Sequence, residues 1–107
     1  MYTMMQVCRE LDMTYQTLKF YCNEGLVPNV KRDHNNRRVF DEKDVKWIKD
    51  LTCLKKCGMS IQEMKKYLEL CLQGEATIVS RKKMLARKQE ELRASIKELE
   101  DSISYIG

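Results

Sequence analysis

The chain has one histidine, one proline, one tryptophan and four glycines among 107 residues. That scarcity removes several classes of function. His34 stands alone, no glycine-rich phosphate loop occurs, and carboxylates and thiols do not cluster, so a catalytic site has nothing to assemble from. No stretch approaches the roughly 18–20 apolar residues that span a bilayer. The N-terminus also lacks a basic region followed by an apolar run. A cytoplasmic protein with no membrane partner, no cofactor and no enzymatic role is expected.

The cysteines, Cys8, Cys22, Cys53, Cys57 and Cys71, are odd in number and scattered through helical patterns, unlike the framework of a small secreted protein. A reducing compartment fits them. Cys53 and Cys57, four apart, could supply two thiolate ligands, but a closed site needs more, and His34 lies elsewhere; no metal is expected. Lys and Arg exceed Asp and Glu by 20 to 16, a net of +4 without a polycationic tail, which favours an anionic partner without proving one.

The pattern divides into a compact basic head, residues 1–73, and a long helix, residues 76–106. Thr3 can cap a short helix carrying Met4, Val7, Cys8 and Leu11, and Thr14 starts a second with Leu18 and Tyr21 or Cys22 facing inward. Gly25 stops it. Two helices so closely joined match a helix-turn-helix. From Val30 to Phe40, apolar ends enclose a polar tip at Asp33 to Asn36 and four Lys or Arg residues, which predicts a two-stranded wing against a phosphate backbone. Asp41 or Asp44 opens a third helix with Val45, Ile48, Leu51 and Leu54 as its apolar stripe. Gly58 ends it, and Ser60 with Glu63 forms a capping box for a fourth helix.

After Gly74, residues 76–106 contain no Gly or Pro. Ile78, Leu85, Leu92, Leu99 and Ile106 recur every seven residues, and Ile96 and Ile103 add the second heptad column toward the C-terminus; Lys82 and Gln89 interrupt that column earlier. A lone helix would leave this seam in water, so a coiled coil between two identical chains is expected; an internal hairpin or another protein's helix are the alternatives. The expected fold is therefore all-α with a small β wing, a winged helix-turn-helix followed by a dimerisation helix.

Tyr2-Thr3-Met4-Met5-Gln6-Val7, then Thr14-Tyr15-Gln16-Thr17-Leu18-Lys19-Phe20-Tyr21, then Gly25-Leu26-Val27-Pro28 occur in one order with Asn36-Arg37-Arg38-Val39-Phe40 and Gly58-Met59-Ser60-Ile61. Together they resemble the mercury-resistance regulator (MerR) family over essentially the whole chain. Trp47 to Lys55, with Cys53 among them, and the Gly74-Glu75 and Ser80-Arg81-Lys82 segments are similar to the thiol-dependent, aldehyde-responsive AdhR-type branch. Lys19, Phe20 and Cys22 depart from the Arg, Tyr and Glu common there, and Asn35-Asn36-Arg37-Arg38 departs from Asn-Gly-Tyr-Arg. Lys19 keeps a charge without a two-pronged geometry, and Phe20 has no hydrogen to donate.

The resemblance implies a regulator that binds a palindromic promoter as a homodimer, its residues 76–106 forming an antiparallel coiled coil, with RNA polymerase on the same promoter. On the second helix, Tyr15, Gln16, Thr17 and Lys19 face the major groove, with Gln16 the base reader toward adenine; Tyr21 and Lys19, with Arg37 and Arg38 of the wing, hold phosphates. Lys55 and Lys56 are either further phosphate contacts or solvated charges. Arg38 could instead pair with Asp33 or Glu42 and brace the hairpin.

Cys53 has Lys49, Lys55 and Lys56 nearby, which favour a thiolate able to attack a small electrophile such as an aldehyde; beside Leu51 and Leu54 it could equally be a buried filler. The family likeness favours the sensor thiol. With no cysteine beyond Cys71, the metal site that the resemblance would put on cysteines around the start and the end of the dimerisation helix lacks ligands. At this length no separate ligand-binding domain is expected after the helix. A non-sensing architectural DNA-binding module or a protein-interaction module is the rival reading.

Overall fold

The computed structural model describes residues 1–107. The elements run β1 (Tyr2–Thr3), α1 (Met4–Leu11), α2 (Tyr15–Asn23), β2 (Lys31–Arg32), β3 (Arg38–Phe40), α3 (Glu42–Lys56), α4 (Ile61–Leu72), a 3-10 turn (Gly74–Thr77) and α5 (Ile78–Ile106). Two compact units result, Met1–Lys56 and Cys57–Gly107.

In the first unit, helix starts are set by side chains that satisfy otherwise orphaned N–H groups. Thr3 and Gln6 cap α1 reciprocally: the Gln6 N–H donates to Thr3 Oγ1 at 3.2 Å and the Thr3 N–H to Gln6 Oε1 at 2.8 Å. Thr14 Oγ1 accepts from the Thr17 N–H at 3.1 Å and starts α2. Asp41 and Asp44 exchange backbone-to-carboxylate bonds of 3.0 and 2.9 Å and open α3. Gly25, at φ +75°, reverses the chain after α2, a conformation glycine adopts without Cβ strain.

The wing strands join a three-stranded antiparallel sheet in the order β1-β3-β2, with Tyr2 opposite Phe40 and Lys31 opposite Val39. Strand β1 escapes the sequence reading: two residues carry no periodicity, and their pairing lies across nearly forty residues. Phe40, Leu18, Leu26, Ile48, Leu51 and Val7 are fully buried. Trp47 lies at the core's edge, its indole N–H donating to the Leu26 carbonyl at 2.7 Å.

In the second unit, Ser60 and Glu63 form the expected capping box at α4, and α4 packs on the 3-10 turn and α5. The helix predicted from 76 begins at Ile78 instead. Residues 74–77 tighten into a 3-10 turn because the Thr77 hydroxyl bonds to the Leu70 and Gly74 carbonyls, and Arg81 donates to Thr77 Oγ1 and the Gly74 carbonyl, both at 3.1 Å. Lys88 ties α5 to α4 and to its own helix through Glu63 at 3.2 Å and Glu91 at 2.8 Å. The 29 residues of α5 include none that is buried. No helix is long and apolar enough to cross a membrane.

Candidate nucleic-acid interface

Helix α2 buries one stripe and presents the other. Leu18 and Tyr21 face the core, while Tyr15, Gln16, Lys19 and Phe20 are exposed. The exposed set follows directly from the cap at Thr14, which fixes where the first turn begins and hence the phase of every later side chain. Thr17 is half-buried, and its hydroxyl lies 2.8 Å from that of Thr14. One member of the expected DNA-contacting set is therefore already engaged in capping.

Tyr21 is only 4% exposed, and burial pushes its phenol pKa up. Its ring is a core element, and of the two residues the spacing offered for the inward position, Tyr21 or Cys22, Tyr21 is the more deeply buried. A tyrosine three residues from a core leucine belongs to the buried helix stripe by spacing.

The wing is built around Asp33. Its Oδ1 accepts the N–H groups of Asn35 and Arg37 at 2.9 and 3.0 Å, and these bonds, that from Arg37 foremost, hold its pKa below the ordinary carboxylate value. Asn36 takes the left-handed conformation at φ +60°, a position that asparagine tolerates better than most residues. Arg32 donates to the Asn36 carbonyl at 2.9 Å and stiffens the tip. At the wing's base Lys31 pairs with Asp41 at 2.9 Å. The Asp44 N–H first and Lys31 second bring the Asp41 pKa down to about 2.

Arg38 pairs with neither Asp33 nor Glu42. Its guanidinium donates to Asn23 Oδ1 at 2.7 Å, so the wing is fastened to the C-terminal end of α2. Asn23 was not singled out by sequence, since a polar residue at a helix end has many uses. Arg37 is exposed, and its charge also helps to hold the Asp33 pKa down. An open groove runs between the start of α1, Tyr15 and the wing, with Met5, Arg32, Asn36, Arg37 and Arg38 along it. The sequence-predicted residues Tyr15, Arg37 and Arg38 thus meet at one surface, with Gln16 and Lys19 on the adjoining helix face.

Cys53 is exposed, which removes the buried-filler alternative. It sits in a shallow depression on α3 with Lys46, Lys49, Thr52 and Lys56, rimmed by Glu10, Asp12 and Glu42. Cys22, half-buried beneath the wing, has its thiol pKa raised by burial, partly offset by Arg38 and Arg32. No three His, Cys, Asp or Glu side chains converge where a metal ion would sit.

Residues 2–71 match the family model described as MerR HTH family regulatory protein, and residues 45–106 match that described as MerR, DNA binding. An uncharacterised HTH-type transcriptional regulator of Haemophilus influenzae is 36% identical over 98 residues, 92% of this chain and 73% of that protein. The HTH-type transcriptional regulator AdhR of Bacillus subtilis is 37% identical over 87 residues, 81% of this chain and 62% of AdhR. A crystal structure of HiNmlR, a MerR family regulator lacking the sensor domain and bound to promoter DNA, superposes with a TM-score of 0.83 at 34% identity, covering 96% of this chain and 78% of HiNmlR. The chain belongs to the MerR family and is a DNA-binding transcriptional regulator rather than an enzyme.

Proposed function

We propose that the protein binds a palindromic promoter as a homodimer paired through α5, and that modification of Cys53 by a small electrophile changes the transcription it permits. The observation that carries the DNA reading is the exposed face of α2, with Gln16 and Lys19 outward, beside the exposed Arg37 of the wing. Gln16 can donate to and accept from one adenine edge in the major groove. Lys19, Arg37 and Arg38 contribute phosphate contacts that set register and make affinity depend on salt. Tyr15 and Thr17 complete the contact set at the start of α2, with Tyr21, one turn on, as a further phosphate contact.

Dimerisation is supported by the apolar seam that one chain leaves in water: Leu92 is 39% exposed, Leu99 64% and Ile106 85%. That seam is symmetric about Leu92, since antiparallel pairing sets Leu85 against Leu99 and Ile78 against Ile106. The same pairing lays the basic run Arg81, Lys82, Lys83, Arg87 and Lys88 along Glu98, Glu100 and Asp101 of the other chain. Two heads fixed in this way read inverted half-sites. Bending or untwisting the duplex between them costs several kcal/mol, and a modest shift in the dimer's conformational balance alters how RNA polymerase engages the promoter.

For the electrophile, the exposed Cys53 beside Lys46, Lys49 and Lys56 is the supporting observation. Its thiolate adds to an aldehyde carbonyl, forming a C–S bond, and the resulting alkoxide takes a proton from water to give a hemithioacetal. The test is binding and in vitro transcription on the promoter upstream of its own gene, with reduced protein, with protein treated by formaldehyde or methylglyoxal, and with Cys53→Ser. Sequence-specific binding is expected throughout, with output that responds to aldehyde only when Cys53 is present. Unchanged output in every condition would leave the DNA reading standing and remove Cys53 as the sensor of these aldehydes.

A further inference from the structure

We infer that Phe20 determines operator specificity by packing against a thymine methyl group, one helical turn beyond Gln16; the inference rests on α2 being the groove helix. Phe20 is 46% exposed, and its ring meets that of Tyr21 only at a tilt, with centroids 6.4 Å apart and planes at 51°. In residues 1–56 the exposed large apolar side chains are Met1, Met5, Tyr15 and Phe20. Two of these four, Tyr15 and Phe20, lie on the exposed face of α2 with Gln16 and Lys19, and Tyr15 also lines the groove that the basic wing borders. A phenyl ring has no donor for a phosphate oxygen, so on this face Phe20 cannot replace the hydrogen-bonding contact that a tyrosine would make. The apolar group that base edges present in the major groove is the C5-methyl of thymine.

The spacing fits one recognition unit. Gln16 and Phe20 are four residues apart on one face, a rise of about 6 Å along the helix, comparable to roughly two base steps of 3.4 Å. Gln16 takes the hydrogen-bonding edge of an adenine while Phe20 covers the methyl of a thymine within about two base pairs of it. The pair selects an A·T-rich step through one polar and one apolar contact, and leaves Lys19 between them to hold the backbone.

The test uses a duplex selected by the whole protein from a random-sequence pool, with each thymine replaced in turn by deoxyuridine, which removes only the methyl. At one position per half-site, binding should weaken by about fourfold, the value of one buried methyl group. That position should lie within two base pairs of the adenine whose replacement is no longer sensed by Gln16→Ala. Phe20→Ala should bind the thymine and deoxyuridine duplexes equally. No deoxyuridine effect at any position, or the same effect in Phe20→Ala as in the parent, would overturn the proposal while sequence-specific, salt-dependent binding keeps the groove reading intact. Failure of the protein to select any sequence would overturn both.

Discussion

Residues 1–56 and the helix α5 use hydrophobic side chains in opposite ways. The first region buries Leu18, Leu26, Phe40, Ile48 and Leu51 completely, whereas the 29 residues of α5 bury none. The head's apolar pattern is consumed by its own fold, and its exposed remainder is read as a contact surface. The apolar pattern of α5 is left over, and a heptad seam in water is an instruction for a partner. The difference separates substitutions that act on folding from those that act on assembly.

The largest effect should come from Leu99→Asp combined with Ile103→Asp. Both positions are exposed in the single chain, at 64% and 69%, so the head should melt unchanged. Sedimentation velocity should show monomers, and operator affinity should fall by about 10²–10⁴-fold as the second head loses its tether. Phe40→Ala should do the reverse, costing roughly 3–5 kcal/mol of stability in urea unfolding while helix pairing persists. Removing the α2 cap with Thr14→Ala should cost about 1 kcal/mol, and fluorescence anisotropy should show a matching loss of DNA binding, because the exposed face is phased by that cap.

Arg37→Ala should leave thermal stability unchanged and reduce the slope of log K against log salt by about one per head. Arg38→Ala should lower the slope similarly and also loosen the wing, because it removes the bond to Asn23. The smallest effect concerns acid. The Asp41 pKa of about 2 lies below the ordinary 3.8, so its carboxylate favours the folded state above pH 4, and that contribution fades as pH falls toward 2. Asp41→Asn should therefore flatten the acid limb of the unfolding midpoint in that window.

Much of this was legible in the sequence where the determining contacts are local. The caps at Thr3, Thr14 and Ser60, the wing tip at Asp33 to Asn36 and the stripe Val45, Ile48, Leu51 all depend on neighbours within four residues. What escaped depends on distant ones. Strand β1 exists because Tyr2 and Thr3 pair with Phe40 and Val39, and the anchor of Arg38 is Asn23, fifteen residues earlier. Tyr21 was legible as core by its spacing from Leu18, but local spacing did not separate it from Cys22. Leu54, placed on the buried stripe, is only half-buried near the end of α3.

The most direct measurement is sedimentation velocity of the protein with a fluorescent palindromic duplex selected from a random pool, repeated across a salt series. Two chains per duplex, with log K falling linearly as log salt rises, is the predicted result; one chain per duplex at undiminished affinity, or binding indifferent to salt, would contradict it.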